Sequence, residues 1–384
     1  MNFLLFLMLA AEPRVEIGEP RLVVAGPADE HRWGRWQFPV LEAAPGGKLL
    51  LFVHVEQDSA ASYGKARKTY LSGDQGKTWR EDPQAANGAF GLKLKNGDWL
   101  RTDTVAATPA SSIPLPKQVA ERVSYKTPFQ LYLMRELPES MRRIFFQRYQ
   151  GGAWKPESQI LDDAHALRYV TGGLMPQIWW GDMKVLKDGT LLALTYPYYH
   201  DSQPVPFTSS ASYMSKDHGR SWAKTGHILY DEADRRRDGF TEPALEVLPD
   251  GRLLAVLRTT DGNGIGPMYR SWSADQGKTW SSPQVFTETG VLPRLLQLAN
   301  GVLVLSSGRP GVDLRFSHDA GKTWTKPHTL VPVPDPIKPQ ADSCGYTSLL
   351  PLGKDRFLIT YSWFTPPSGQ KSIYVREVKV TAGR

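Results

Sequence analysis

The sequence has a single cysteine, Cys344, so it can form no intramolecular disulfide and supplies no thiolate cluster for a metal. The same scarcity leaves the redox compartment open. Beyond the extreme N-terminus no stretch is long and apolar enough to cross a membrane, so no stable membrane insertion is expected. Although the net charge is +7, lysine and arginine are interspersed with acidic residues and no long basic run marks a nucleic-acid surface. A basic surface of this size attracts anionic substrates, but it also occurs without consequence. No His/Cys/Asp set has metal-ligand spacing and no glycine-rich loop is placed to hold phosphate, so neither a metal nor a cofactor is expected.

The one apolar run follows Met1-Asn2 and covers residues 3–11. It is similar to the hydrophobic region of a secretory signal, with Ala10 and Ala11 at a possible cleavage site, although no basic residue precedes it. Residues 1–11 are therefore expected to be a short signal peptide and residues 12–384 one exported domain, secreted or periplasmic.

Other residues are plentiful. Twelve Trp, 30 Pro and 34 Gly suit short strands joined by frequent turns, and the hydrophobic share of 41% is enough for a substantial core. A chain of 384 residues exceeds most single domains, but repeat folds reach this size as one unit.

A repeat does run the length of the chain. An apolar strand, a tight turn and a second apolar strand recur at residues 39–54 around Gly47, 88–104 around Gly97 and 180–196 around Gly189. They recur again at 242–258 around Gly251, 292–309 around Gly301 and 346–362 around Asp355. Each is a hairpin by pattern. Six copies predict an all-β, six-bladed β-propeller with four-stranded antiparallel blades. A strand near residues 21–25 pairing with one near 373–380 would join the chain ends.

A second motif follows four of the hairpins: Ser72-x-Asp74-x-Gly76-x-Thr78-Trp79, then Ser215 to Trp222, Ser273 to Trp280 and Ser317 to Trp324 at the same spacing. The aspartate can accept backbone N–H bonds inside the turn, glycine supplies the positive φ, and the hydroxyls add local bonds. Recurring once per blade, these aspartates cannot converge on one site and are structural. A remnant, Gly151-Gly-Ala-Trp154, stands in the second blade. The motif resembles the Asp box (BNR repeat) of the sialidase superfamily.

Propellers bind ligands at one end of the central channel, and each hairpin places the start of its first strand and the end of its second there. Nine positions before the turn stand Phe38, Gly88, Trp180, Glu242, Leu292 and Tyr346. Seven or eight after it stand His54, Thr104, Tyr196, Arg258, Arg309 and Ser362. Register alone thus gathers Glu242, Tyr346, Arg258 and Arg309, with His54, Trp180 and Tyr196 nearby. The charged run 234–238 could rim the mouth, although mixed-charge loops are more often solvated. Tyr196, Tyr198, Tyr199, Trp179 and Trp180 could stack a sugar or fill the core.

Here the chain resembles bacterial exo-α-sialidases from about Gln37 onward. Their Glu-Pro with an arginine ending the same hairpin matches Glu242-Pro243 and Arg258. Their next arginine, before the Ser of a box, matches Arg309 and Ser317, and their nucleophilic tyrosine matches Tyr346. The resemblance implies a retaining glycosidase. Tyr346 attacks, because a carboxylate nucleophile would be repelled by a carboxylate on the anomeric carbon. Glu242 takes its proton, and Arg258 and Arg309 grip the substrate carboxylate. The implied general acid is Asp58, with Glu56 or His54 as alternatives.

One position departs from the pattern. Three arginines clamp the carboxylate in the family, and the first stands in an Arg-Ile-Pro motif. This chain has Arg35-Trp36-Gln37-Phe38-Pro39, so Gln37 takes that place, and Arg35 lies two residues away along the strand, about 6–7 Å. The expected substrate is an acidic glycan or glycoconjugate carrying an α-sialoside or a related acidic sugar, with weak or absent activity on ordinary N-acetylneuraminic acid glycosides, and the protein is expected to be a monomer. Two other classes remain open: a non-catalytic glycan-binding propeller, and a lyase or hydrolase of uronic-acid polysaccharides with His54, His200 or a tyrosine as base.

Overall fold

A computed structural model describes residues 13–88, 91–124, 127–161, 163–170, 173–174, 182–200, 204–230, 237–259, 265–333 and 345–381. The expected signal peptide, Trp179, Trp180, residues 234–236 and Cys344 lie outside them. The described chain is all-β, with only short 3-10 turns between strands.

Four-stranded antiparallel sheets form in chain order. The first holds Gln37–Ala44, Lys48–His54, Lys68–Ser72 and Arg80–Glu81. The second holds Leu92–Lys93, Trp99–Thr102, Arg143–Gln150 and Ala153–Ile160. The third is Met183–Val185, Leu191–Thr195, Ser210–Ser215 and Ala223–Ile228. The fourth is Thr241–Val247, Leu253–Arg258, Met268–Ser273 and Gln284–Thr287. The fifth is Val291–Gln297, Leu303–Gly308, Val312–Ser317 and His328–Val331. The sixth joins Thr347–Pro351, Arg356–Trp363 and Ser372–Thr381, and its last strand carries both Arg14–Ile17 and Arg21–Ala25.

Second strands such as Leu191–Thr195 and Leu253–Arg258 are buried along their whole length. Their unbroken apolar runs are what a strand covered on both faces requires. The covering comes from neighbouring sheets. Leu192 and Leu194 pack with Ala255 and Leu257, Leu254 and Val256 with Leu303 and Leu305, and Val304 with Phe357 and Ile359. Leu51 and Val53 pack with Leu358 and Ile373, so the first sheet meets the last.

The repeated turns bind the sheets further. In the first, Asp74 Oδ1 accepts from the backbone N–H of Lys77 and Thr78 at 3.0 and 2.9 Å, and Thr78 Oγ1 donates to Oδ2 at 2.6 Å. Ser72 Oγ accepts from Gly76 N at 2.9 Å. The copies at Asp217, Asp275 and Asp319 repeat the pattern. Gly76 has φ +82°, and a β-carbon on it would fall 2.6 Å from Leu358 of the sixth sheet; Gly321 meets Leu254 of the fourth sheet in the same way. Glycine is therefore required both by the turn and by the close approach to the preceding sheet.

One element was not anticipated. A five-stranded antiparallel sheet is assembled from three separated connections: Ala120–Ser124 with Thr127–Leu133, then Ala166–Val170, then Tyr198–His200 with Pro204–Thr208. These connections follow second strands or fourth strands. All three therefore leave at the end where first strands begin, opposite the aspartate turns. The extra sheet has its own core of Leu131, Leu167 and Tyr198, with Phe129 and Tyr169 beside it.

Candidate active site

Glu242 is aimed by a local irregularity. The first strands of the first, fourth and fifth sheets each shift register by a bulge just after the strand begins. In each bulge the residue before proline has positive φ: Phe38 at 53°, Glu242 at 44° and Leu292 at 44°. A residue before proline is barred from the right-handed helical region. Positive φ in a non-glycine residue costs about 1–3 kcal/mol and persists where surrounding structure enforces it. Here the bulge turns the side chain out of the strand.

The two oxygens of Glu242 have different partners. Oε2 accepts from Arg258 Nη1 at 2.7 Å and from the Leu292 backbone N–H at 3.2 Å. Oε1 accepts from Tyr346 Oη at 3.2 Å. Arg258 ends the second strand of the same hairpin and is 5% exposed. With one oxygen fixed on the arginine, the other is presented to the phenol. Burial and the Glu242 charge push the Tyr346 phenol well above 10, while Arg309 and Arg258 pull it down. Phe38 meets Tyr346 edge-on, with centroids 4.5 Å apart.

Arg309 is 1% exposed, its guanidinium 5.6 Å from the Tyr346 ring centroid and 4.4 Å from that of Trp33. Trp33 in turn donates from Nε1 to Asp58 Oδ2 at 3.2 Å. Asp58 is exposed and close enough to Tyr346 to bear on its phenol. His54 lies under Phe38, centroids 5.6 Å apart, and burial lowers its imidazole while Asp58 opposes the shift. Tyr196 interacts with Glu242 and Tyr346, and burial raises its phenol well above 10. Tyr63 and Tyr169 are also raised by burial, and both interact with Asp58. All these phenols are neutral donors near neutral pH.

Most residues singled out by register thus lie together, Tyr346, Glu242, Arg258, Arg309, His54 and Tyr196, and Asp58, which the resemblance implied, lies beside them. Trp180 falls outside the described residues. Gln37 has no exposed surface; its Oε1 accepts from Gly34 N, and its Nε2 is buried with no hydrogen-bond partner. Arg35 pairs with Glu30 at 3.8 Å. Asp238, at the end of the charged run, is buried and binds Arg122 of the extra sheet at 2.6 Å.

Trp33, Tyr63 and Tyr169 are the residues that sequence reasoning missed. They stand outside the repeat, in the lead-in to the first strand, a loop and the extra sheet, so no register pointed to them.

Residues 150–364 match the family of the BNR repeat-like domain. A sialidase from Bacteroides fragilis (strain YCH46) is 26% identical over 192 residues, covering 46% of this chain and 31% of that protein. The matched region is therefore about a third of the curated relative's length. A protein of unknown function from Dyadobacter fermentans DSM 18053 superposes with a TM-score of 0.67 at 19% identity, covering 95% of this chain and 99% of that one. An α-L-arabinanase from Penicillium chrysogenum, complexed with arabinobiose, gives 0.54 at 17% identity, covering 94% and 98%. At these identities the likeness establishes the fold, an all-β architecture of the propeller type, and leaves the chemistry to the site.

Proposed function

The chain belongs to the BNR repeat-like family of sialidase-like proteins, and from that membership we propose that it is a retaining exo-glycoside hydrolase of an acidic sugar. Its six successive sheets are read as six blades around a channel, with the site at the mouth where first strands begin. Tyr346 is the nucleophile, Glu242 its general base and Asp58 the general acid. Arg258 and Arg309 hold a substrate carboxylate.

The observation that carries this reading is the division of labour at Glu242: Oε2 on Arg258 at 2.7 Å, Oε1 on the Tyr346 phenol at 3.2 Å. A phenol is a weak nucleophile unless a base takes its proton in the transition state. Oε1 is within reach of that proton. Arg309 and Arg258 favour the anion that forms. Attack by the phenolate oxygen on the anomeric carbon expels the leaving oxygen, which takes a proton from Asp58. Water then displaces Tyr346, with Asp58 accepting the water's proton and the departing phenolate taking its proton back from Glu242.

A uronate lyase would need a base close to a sugar ring hydrogen. The histidine near the site, His54, is held below its usual basicity by burial, which fits that role less well than Tyr346 and Glu242 fit theirs. The apolar N-terminal run supports export of the enzyme to the periplasm or beyond.

Tyr346→Phe is the direct test. Turnover on fluorogenic acidic glycosides should fall by at least about a hundredfold. Near-full activity in that variant would overturn the reading.

A further inference from the structure

On this reading the bound sugar's carboxylate and its leaving oxygen are served by two groups that follow second strands of different sheets, Arg309 and Asp58. One side chain touches both. Trp33 lays its ring 4.4 Å from the Arg309 guanidinium and donates its indole N–H to Asp58 Oδ2 at 3.2 Å. The ring is itself wedged by edge contacts with Phe364 at 5.7 Å and Phe38 at 6.3 Å.

The next residue fixes the approach. Gly34 has φ +86°, and a β-carbon there would lie 2.1 Å from the Asp58 backbone nitrogen. Only glycine lets the loop carrying Asp58 close onto this segment. The segment is also tied from below, since Gly34 N donates to the buried Gln37.

We propose that Trp33 is a positioning residue that sets the general acid and the carboxylate-binding arginine in one fixed relation, so that leaving-group protonation and sugar binding occur in the same pose. The proposal rests on the functional reading above. An aromatic face orients a guanidinium without competing for its N–H groups. The indole N–H has no acceptor capacity. It can fix Asp58 through one oxygen and leave the other to carry the transferred proton. Groups that also bear on Asp58 are His54, Tyr63, Tyr169 and Tyr346. Of these, Tyr346 also lies against Arg309, its ring centroid 5.6 Å from the guanidinium.

The test compares two substrates with the same acidic glycone, one with a sugar leaving group and one with a dinitrophenyl leaving group that departs without a proton. Trp33→Phe keeps an aromatic face for Arg309 and removes the N–H. It should lower kcat/KM about ten- to a hundredfold on the first substrate and less than about threefold on the second. Trp33→Ala should in addition raise KM on both. Asp58→Asn provides the reference, with a larger loss confined to the sugar leaving group, and thermal melts of each variant exclude loss of folding. If Asp58→Asn shows the leaving-group dependence and Trp33→Phe lowers both substrates equally or neither, the positioning role is wrong and the functional reading stands. If Asp58→Asn shows no such dependence, Asp58 is not the acid and both fall together.

Discussion

Tyr346 Oη and Glu242 Oε1 stand 3.2 Å apart although 104 residues separate them in sequence. The contact depends on two first strands beginning at the same end of their sheets and on the bulge at Glu242. The opposite oxygen is anchored on Arg258 at 2.7 Å, so the carboxylate is held in place by the protein's own groups.

That anchoring has a consequence for stability. A channel-mouth carboxylate is expected to be replaceable at little cost, but Arg258 is 5% exposed and Glu242 is its ion-pair partner at 2.7 Å. Glu242→Gln should therefore lower turnover at least about a hundredfold and also destabilise the fold by about 1–3 kcal/mol, because a buried cation loses one ion-pair partner. Tyr346→Phe should leave stability nearly unchanged, since its ring keeps the contact with Phe38. Urea unfolding of the two variants separates them; equal midpoints would show that Arg258 does not depend on Glu242.

On the proposed reading, Gln37 bears on substrate choice. A neutral amide replaces the first of three arginines, and charge-assisted hydrogen bonds contribute about 1.5–3 kcal/mol against about 1 for neutral ones. Activity on ordinary N-acetylneuraminic acid glycosides should be weak or absent, with better activity on another acidic sugar. Gln37→Arg should raise kcat/KM on the ordinary sialoside roughly ten- to a hundredfold. Since Gln37 is fully buried and accepts from Gly34 N, the same variant should melt at a lower temperature. Efficient cleavage of standard sialosides by the wild type, with no gain from arginine, would remove the argument from the missing charge.

The repeated turns predict a pH response. In the folded protein the Asp275 carboxyl falls from 3.8 to about 2, because the Thr279 hydroxyl and backbone N–H and the Ser273 hydroxyl donate to its charged form. A carboxyl depressed by folding contributes stability that is fully present above the unfolded value and is lost as pH falls through the folded one. The melting temperature should therefore hold down to about pH 4 and decline between about pH 4 and pH 2. Asp275→Asn should melt below the wild type at pH 7, and the gap should close near pH 2. A constant gap across that range would mean that the charge of Asp275 contributes nothing.

The sequence by itself determined the hairpins, the aspartate turns and the register of the mouth. Those features are local: Asp74 bonds groups no more than four residues away, and a turn needs its glycine at one position whatever surrounds it. Repetition then carried local information around the molecule, which is why Glu242, Arg258, Arg309 and Tyr346 could be gathered by counting. Tertiary structure alone decided the rest. The extra sheet is built from three connections with no shared pattern, and its register depends on strands far apart in the chain. Gln37 occupies the arginine's place in sequence, yet only the packing shows that its side chain is fully buried, against Gly345. Trp33 precedes the first repeat, and nothing in its neighbours signals a role. Its contacts to Asp58 and Arg309 exist only because the first and fifth sheets converge at the mouth, where packing brings together side chains that no periodicity relates.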